Sequence, residues 1–237
     1  MRRIPSRELL DDDAGTEAEV ARSLADLRLL NHYFGGVATT AYMVERIARA
    51  SGKTDFTLLE VGAGSGDAVE SVRNRMQKKG IGLELTLLDR CASHMAAGNG
   101  NGVNHVVGDA LSLPFGNGSF DIVSCGLLVH HLTPEEVTAF ANETLRCARV
   151  ALIINDLVRD PVPLAVAYAG RLIYQSRITC NDAPASVRQA YTTEEMRAML
   201  AGNSAGRVEV TRHYFYRMGA IVWKNELWRK GEARSNV

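Results

Sequence analysis

Neither sign of charge is in excess in this sequence. Its 237 residues include 27 lysines and arginines and 27 aspartates and glutamates, so the formal net charge is zero. Proteins that hold nucleic acid usually need a positive surface, because every phosphate carries a negative charge. The balance therefore argues against a nucleic-acid partner and leaves room only for a local basic patch.

Long apolar runs are missing as well. No stretch approaches the ~18 consecutive apolar residues that indicate a membrane-spanning helix. Arg2 and Arg3 are followed by the acidic run 11–13 rather than by an apolar core, which argues against a secretory signal. We therefore expect a cytoplasmic protein without a membrane span.

Cysteine is sparse. The four cysteines are Cys91, Cys125, Cys147 and Cys180, and none of them stands in a C-x-x-C pair. A zinc cluster or a redox motif is therefore not expected, and such wide scatter is typical of the reduced thiols of the cytosol. The histidines and acidic residues show no recognisable ligand spacing either, so we expect no metal.

The spacing of the apolar residues divides the chain into parts. In residues 1–51 the apolar side chains recur at helical intervals, which predicts an N-terminal helical cap with a break at 31–36. Residues 56–156 alternate short apolar runs with helical segments, which predicts a cofactor-binding core built on a parallel sheet covered on both faces. With 46% hydrophobic residues the chain can bury one α/β core, so we expect a single domain over 1–237.

Ligands of such sheets bind beyond the carboxyl ends of the strands. The strands predicted in the core are 56–61, 83–88, 103–107, 120–125 and 150–154. The residues at or just after their ends should share one edge: Gly62, Asp89, Asp109, Cys125 and Asn155. Helices are expected over 67–79 and from Pro134 onward, where Thr133 would be the N-cap.

Residues 157–204 interrupt this alternation and predict a helical lid that forms much of an acceptor pocket. The segment contains Pro161 and Pro163, an apolar helical stretch over 164–174, a polar break at 181–184 and a helix that begins at Thr193. The lid side chains expected to face the acceptor are Leu164, Val166, Tyr168, Leu172, Ile173 and Tyr174. Closing strands within 205–224, at 208–210 and 219–223, would complete the sheet.

The glycine-rich segment 62–66 follows a strand and opens a helix. Its glycines allow a tight turn and a close approach to a ligand, and the helix N-terminus attracts negative charge. Dinucleotides require G-x-G-x-x-G, whereas the spacing here is G-x-G-x-G and Asp67 would repel a pyrophosphate. S-adenosylmethionine has no phosphate, so Glu60 could receive its ammonium and the loop amides its carboxylate. A plain strand–helix turn is the alternative.

Two further carboxylates stand at the next strand ends. Asp89 could accept hydrogen bonds from both ribose hydroxyls, and Asp109 could accept one from the adenine amino group. Each could instead cap a turn or a helix. Three acidic residues at three successive strand ends favour a cofactor site over three independent caps.

With these motifs the sequence resembles the class I methyltransferases, and among them the type-11 group that contains the ubiquinone and menaquinone C-methyltransferases. The resemblance covers roughly residues 56–156. It rests on the segments 59–66, 88–89, 108–110, 113–115, 119–123 and 130–132. The stretch 181–188 is similar, more loosely, to a segment of small bacterial methyltransferases found beside polyketide and quinone pathways.

This resemblance implies a Rossmann-like, doubly wound, seven-stranded and mostly parallel sheet whose last strand is antiparallel. It also implies a binding site for S-adenosylmethionine, with the methionine part near Glu60 and the glycines, the ribose on Asp89, and the adenine at Asp109 and Ala110. The full candidate cofactor set is Glu60, Gly62, Ala63, Gly64, Gly66, Asp89, Arg90, Asp109, Ala110, Cys125 and Tyr33. Tyr33 is included because its ring could cover the sulfonium by a cation–π contact.

Methyl transfer to an oxygen also requires removal of a proton, for which a histidine is suited. His131 and His130 follow the fourth predicted strand on the ligand edge and are the catalytic candidates, His131 ahead of His130. Either could instead have a purely structural role. The candidate substrate residues are Asn155, Tyr168, Arg171 and Arg188.

The sequence thus predicts a methyltransferase for a small molecule, with O-methylation of a phenol, hydroxyquinone or polyketide-like compound as the main hypothesis. C-methylation of a quinone precursor, or a cofactor-binding subunit without catalysis, would leave the same motifs. An NAD-dependent oxidoreductase is disfavoured by the glycine spacing. We expect a monomer or a homodimer.

Overall fold

The computed structural model describes residues 1–11, 15–93, 103–202 and 206–224. They form one sheet in the order β3-β2-β1-β4-β5-β7-β6. Six strands run in the same direction, and β7 is antiparallel to both of its neighbours. The strands are β1 (Asp55–Val61), β2 (Gly82–Asp89), β3 (Asn104–Val107), β4 (Phe120–Gly126), β5 (Ala148–Leu157), β6 (Arg207–His213) and β7 (Arg217–Trp223). The predicted fold class is therefore confirmed.

Helices cover both faces of this sheet. They are α1 (Glu17–Tyr33), α2 (Gly36–Ser51), α3 (Asp67–Gln77), α4 (Pro134–Cys147), α5 (Pro161–Ala169), α6 (Arg177–Gln189) and α7 (Thr193–Ala201). One apolar cluster joins the sheet to α2 and α3, and another joins it to α4 and α7. Large side chains such as Ile47 and Phe140 are fully buried. Burial of each such side chain contributes about 1.5–3 kcal/mol.

Register places the carboxyl ends of the central strands side by side. Val61 of β1 pairs with both Leu88 of β2 and Cys125 of β4, and Gly126 pairs with Asn155 of β5. The loops that follow these strands therefore emerge along a single edge. This is the arrangement that the sequence predicted for ligand binding.

The helix α6 passes through the segment 181–184, where the sequence predicted a break. Pro184 lies inside the helix, and a proline cannot donate to the carbonyl four residues earlier. Here that carbonyl, of Cys180, accepts a hydrogen bond of 3.0 Å from Arg171 Nε. The prediction of a break was wrong because a side chain outside the helix satisfies the carbonyl that proline leaves free.

Other boundaries also differ from the prediction. The helix α1 extends to Tyr33, so the break between the first two helices is confined to Phe34 and Gly35. The apolar stretch 164–174 is not one helix, because α5 ends at Ala169 and a 3-10 turn follows over Gly170–Leu172. None of the helices in the described ranges combines the length and apolar character needed to cross a membrane.

Buried polar contacts join the N-terminal helix to the lid. Ser23 Oγ of α1 lies 3.1 Å from Thr179 Oγ1 of α6. The carboxylate of Asp26 accepts hydrogen bonds from the backbone amides of Gln175 and Ser176, which lead into α6. The predicted cap and lid thus form one wall over the carboxyl edge of the sheet.

The N-terminus of α4 provides a test of the local sequence signals. Thr133 Oγ1 accepts from the Glu136 amide, and Glu136 Oε2 accepts from the Thr133 amide, which is the predicted N-cap completed as a capping box. Loss of such a cap costs about 1 kcal/mol. Thr133→Ala should therefore lower the melting temperature by roughly 2–4 °C, measured by differential scanning calorimetry. Thr138→Ala, the same change within the helix, is the control, and an equal loss there would contradict the capping role.

Candidate functional site

A cavity of about 1360 Å³ lies at the carboxyl edge of the sheet. The segment 6–11, the helices α1, α5 and α6, and the loops after β1, β2, β3 and β4 contribute to its walls. Clefts for a single small ligand usually measure about 300–1,000 Å³. The cavity therefore has room for a cofactor and a second molecule together.

The glycine loop forms one wall of this cavity. Gly62 and Gly64 have positive φ angles of 69° and 54°, a region that glycine enters without strain. A Cβ at Gly62 would lie 3.2 Å from Leu128 Cδ1, whereas the space around Gly64 is open to 4 Å. A ligand can thus approach the loop backbone closely at Gly64. Ala63 lines the same wall.

Glu60 lies beneath the loop with its carboxylate buried. Burial raises its pKa to about 7, against the opposing effects of the Ser124 hydroxyl and the Gly126 amide. Its Oε2 atom has no hydrogen-bond partner among the described residues. An orphaned carboxylate oxygen at the cavity wall is what an ammonium group would satisfy. The site therefore fits the amino group of S-adenosylmethionine.

The carboxylate of Asp89 connects the loop after β1 to the loop after β2. Its Oδ2 accepts from the Gly64 amide at 2.8 Å and its Oδ1 from the Cys91 amide at 2.9 Å. Each oxygen retains a lone pair that can accept from a ribose hydroxyl. Asp109 is exposed and caps its own turn by accepting from the Leu111 amide at 2.9 Å. Asp109 and Ala110 both line the cavity, so the turn cap and the adenine role are compatible.

Two members of the predicted cofactor set lie in the core instead. Cys125 is 1% exposed in the middle of the sheet, and burial raises the pKa of its thiol well above the usual value. Gly66 is the N-cap of α3, and a Cβ there would collide with the Leu87 side chain. Neither residue is among those that line the cavity, and Gly66 is required for packing, so a contact of either with the cofactor stays a prediction.

Arg90 and Tyr33 lie at the rim of the cavity. Arg90 Nη2 donates to the carbonyl of Asp11 at 2.8 Å, which fastens the N-terminal segment to the loop after β2. Tyr33 is 68% exposed, and its ring meets His32 edge-on at 4.9 Å. Coverage of the sulfonium by Tyr33 stays a prediction.

Three of the four predicted substrate residues face away from the cavity. The ring of Tyr168 lies between two guanidinium groups, with Arg171 at 5.2 Å and Arg188 at 5.3 Å from its centroid. Arg171 in addition caps the carbonyl of Cys180. None of the three is among the residues that line the cavity, so their contact with a substrate stays a prediction. Helical spacing alone does not show which face of the lid is turned inward. Of the predicted lid side chains, Val166, Ile173 and Tyr174 do line the cavity, whereas Leu172 is 91% exposed.

Asn155 does line the cavity, as predicted, but its amide nitrogen is already engaged. Nδ2 donates to the Gly36 carbonyl at 2.7 Å and to Thr40 Oγ1 at 2.8 Å. This fastens α2 to the end of β5. Its Oδ1 lacks a partner within the described ranges and remains available to a ligand.

His130 is held by Asp156 at the buried end of the cavity. Its Nδ1 lies 2.7 Å from Asp156 Oδ1, and its backbone amide donates to Asp156 Oδ2 at 3.1 Å. Burial lowers the pKa of His130, but Asp156 and then Glu8 outweigh that effect and raise it to about 10. Burial likewise opposes the ionised form of Asp156, and His130 outweighs it and lowers the pKa of that carboxyl.

His131 stacks on His130, with ring centroids 4.0 Å apart. Its Nδ1 lies 2.9 Å from Asp11 Oδ2. The Oε1 atom of Glu8 is 3.5 Å from His130 Nε2, and it also accepts from Ser186 Oγ and Gln189 Nε2. Sequence reasoning missed Glu8 entirely, because nothing in the local pattern near the N-terminus indicates that this segment reaches the ends of β4 and β5.

Arg217 is a second residue that the sequence did not reveal. It is 2% exposed and lines the cavity, where Nε donates to the Phe34 carbonyl and Nη2 to Asn31 Oδ1. Burial lowers its pKa to about 10, against the attraction of Asp156. Nη1 is without a hydrogen-bond partner in the part of the chain that the structure describes. A carboxylate or another anionic group of a ligand would satisfy it.

Known proteins share this fold and part of this sequence. Residues 58–150 match the family model described as a methyltransferase domain. Human N-acetylserotonin methyltransferase, solved with SAM, aligns with a TM-score of 0.66 at 11% identity over 93% of this chain. This chain spans 60% of the length of that human chain.

Two further solved structures match the chain over nearly their whole length. The plantazolicin methyltransferase BpumL, solved with SAH, has a TM-score of 0.66 at 12% identity, over 92% of this chain and 100% of its own. A SAM-dependent methyltransferase from Aquifex aeolicus has a TM-score of 0.57 at 16% identity, over 84% of this chain and 97% of its own. At such low identities these likenesses establish the fold.

The assignment of Asp89 to the ribose can be tested by removing its carboxylate. A hydrogen bond to a charged group contributes about 1.5–3 kcal/mol, so Asp89→Ala should weaken binding of S-adenosylhomocysteine on the order of 10- to 100-fold. Isothermal titration calorimetry measures this, and circular dichroism checks that the fold persists. Asp55→Ala, an exposed aspartate at the opposite end of β1, is the matched control. Equal affinity in the two variants would remove the assignment.

The raised pKa of Glu60 predicts how cofactor affinity depends on pH. The ammonium of the ligand favours the ionised carboxylate, so binding must release the proton that Glu60 holds below pH 7. Affinity for S-adenosylhomocysteine should therefore rise with pH, by up to about tenfold per pH unit, and level off near pH 7. Glu60→Gln should abolish this rise. A slope that is the same in the variant would assign the titration to another group.

Proposed function

We propose that this protein, an S-adenosylmethionine-dependent methyltransferase, methylates an oxygen of a small and largely apolar acceptor, such as a phenol, a hydroxyquinone or a polyketide-like compound. The observation that carries the proposal is the continuity of the cavity. The glycine loop, a set of apolar side chains, and the pair His130 and His131 all line it, and the part around the two histidines is its polar end.

The apolar wall of the cavity is suited to an apolar ring or chain. Leu24 and Leu27 of α1, Val166 and Ala167 of α5, and Val187 of α6 line it. Sites for small molecules are typically apolar with a few polar groups that set the orientation. An acceptor can therefore lie along this wall with its reacting hydroxyl between the histidines and the methyl group of the cofactor.

The reaction is an in-line displacement. The bond between sulfonium sulfur and methyl carbon breaks as the bond from acceptor oxygen to that carbon forms, which leaves a neutral thioether and a methyl ether. The proton of the acceptor hydroxyl passes to His131 and from there to solvent. Since the leaving group already carries the positive charge, positioning supplies most of the catalysis.

In this proposal each end of the cavity holds one reactant. Glu60, the loop amides and Asp89 hold the cofactor, with Asp109 and Ala110 at the adenine. His131 contacts the acceptor hydroxyl. His130, which is fixed by Asp156, positions His131 through the stacking of the two rings. The human enzyme is named for N-acetylserotonin and BpumL for plantazolicin, and a single named compound as acceptor is compatible with a small molecule for this chain as well.

An acceptor screen tests the proposal. The purified protein is incubated with isotopically labelled S-adenosylmethionine and a panel of phenols, hydroxyquinones and alkyl-substituted polyketide-like compounds, and products are identified by mass spectrometry and NMR. A methoxy product is the expected result. A labelled methyl group on a ring carbon would contradict O-methylation and show that the protein is a C-methyltransferase. Cofactor binding without any product from the panel would contradict the acceptor class.

The role of His131 is tested by its removal. His131→Ala should lower kcat on the order of 100-fold, the lower range for loss of a group that handles a proton in the transition state. Affinity for S-adenosylhomocysteine should be unchanged, because His131 is not among the residues that hold the cofactor in this proposal. His105→Ala, which removes an exposed histidine of β3, is the control. Turnover equal to that of the control would make His131 structural.

A further inference from the structure

We propose that Glu8, His130 and His131 form a binding site for one divalent transition-metal cation of the zinc class. The site lies at the polar end of the cavity, and its open coordination position faces the acceptor. The role of the cation in catalysis rests on the proposed function, whereas its binding does not.

The three side chains have the spacing of a metal site. One candidate ligand atom from each lies within 4.8 Å of the other two. Zinc binds nitrogen and oxygen ligands at about 2.0–2.1 Å, so neighbouring ligands of a tetrahedral site lie roughly 3.3–3.4 Å apart. The 3.5 Å between His130 Nε2 and Glu8 Oε1 matches that separation. His131 has to approach by up to about 1.4 Å to complete the set.

A second observation points to a ligand at the same place. His130 is 2% exposed, and its Nε2 atom makes no hydrogen bond in the described part of the chain. A buried polar atom left unsatisfied costs about 1–3 kcal/mol. Because Nδ1 is held by Asp156, Nε2 is the ring atom that remains to bind a ligand between His130 and Glu8.

The groups around the three residues also fit a metal site. Metal-bound histidines usually donate their other ring N–H to a carboxylate or carbonyl, which fixes the ring and increases its basicity. Here Asp156 Oδ1 lies 2.7 Å from Nδ1 of His130, and Asp11 Oδ2 and Gln189 Nε2 lie 2.9 Å and 3.4 Å from Nδ1 of His131. Glu8 is oriented in turn by Ser186 and Gln189. All three candidate ligands are therefore held in place by buried or half-buried partners.

The donor set indicates the class of metal. Imidazole nitrogen favours zinc, iron, cobalt and nickel over magnesium and calcium, which prefer oxygen. Two histidines and one glutamate with a fourth position open is a donor set of catalytic zinc sites. The fully buried Asp156 and the partly exposed Asp11 add negative charge that favours a divalent cation. The cation would displace the proton on His130, as metal binding to histidine generally does.

At this position the cation would bind the acceptor oxygen. A hydroxyl bound to a divalent cation loses its proton more readily, just as bound water does. The proton passes to solvent, the oxygen attacks the methyl carbon, and the cation keeps its charge and oxidation state throughout. The histidines then assist catalysis as ligands, and the cation supplies the activation of the hydroxyl.

The test uses the full chain after removal of metals with a chelator. Isothermal titration calorimetry with Zn²⁺ measures affinity and stoichiometry, and visible absorption after addition of Co²⁺ reports the ligand type. We expect one cation per chain and a cobalt spectrum of nitrogen and oxygen ligands without sulfur-to-metal charge transfer. A thiolate band would instead place the cation on a cysteine and overturn the site.

Variants locate the cation. Glu8→Gln preserves the shape of the side chain and its contacts with Ser186 and Gln189, and His131→Ala removes a second ligand. Since loss of an outer partner alone weakens metal binding about 10- to 100-fold, each variant should weaken it by roughly 100-fold or more. Glu17→Gln and His105→Ala, both on exposed residues, are the matched controls. Binding of S-adenosylhomocysteine should be equal in all variants, which shows that they are folded.

Zn²⁺ affinity that is the same in Glu8→Gln, His131→Ala and the wild type would overturn the site. The three residues would then be a network that shares a proton between His130 and Glu8. Methyl transfer at full rate in chelated, cation-free protein would also overturn the role of the cation while it supports the proposed function. Cation binding at Glu8 and His131 without methylation of any acceptor would support the site and contradict the proposed acceptor class.

Discussion

The buried carboxylate of Asp156 is the group on which the acceptor end of the site depends. A charge removed from water must be compensated nearby, because its desolvation costs several kcal/mol. Asp156 receives the ring and the backbone amide of His130 and the amide of Leu157. These contacts fix the turn after β4 against the end of β5, and Arg217 of β7 adds a favourable charge from the next strand. The orientation of His130, and through it the contact with Glu8, follows from this compensation.

The N-terminal segment, residues 1–11, contributes further polar groups to the surroundings of the two histidines. Arg3 donates to the carbonyls of His130, Leu132 and Gln189, and the amides of Leu9 and Leu10 donate to the carboxylate of Asp182 in α6. These bonds place Glu8 and Asp11 at the two histidines. In the proposed site the segment therefore supplies part of the acceptor end, whereas the strand ends supply the cofactor end.

More of the proposed cofactor end than of the proposed acceptor end could be predicted from the sequence. Glu60, the glycine loop and Asp89 could be located because strand, turn and helix are contiguous there, and because each residue type has a direct chemical reason at its position. Cys125 shows the limit of that argument: a strand-end position does not say which way the side chain points. The residues of α5 and α6 show it more clearly, since Tyr168, Arg171 and Arg188 have helical spacing that suits either face, and packing against the rest of the lid turned them outward.

The sequence by itself determined the doubly wound sheet, the ligand edge and the composition of the cofactor loop, because apolar periodicity and turn residues act over short stretches of chain. Only the tertiary structure decided which polar groups meet in the cavity. Glu8 reaches His130, Asn155 reaches Gly36, and Arg217 reaches Phe34 across segments that are remote in sequence. Such contacts depend on how whole elements pack against one another, and a pattern of neighbouring residues carries no information about distances of that kind.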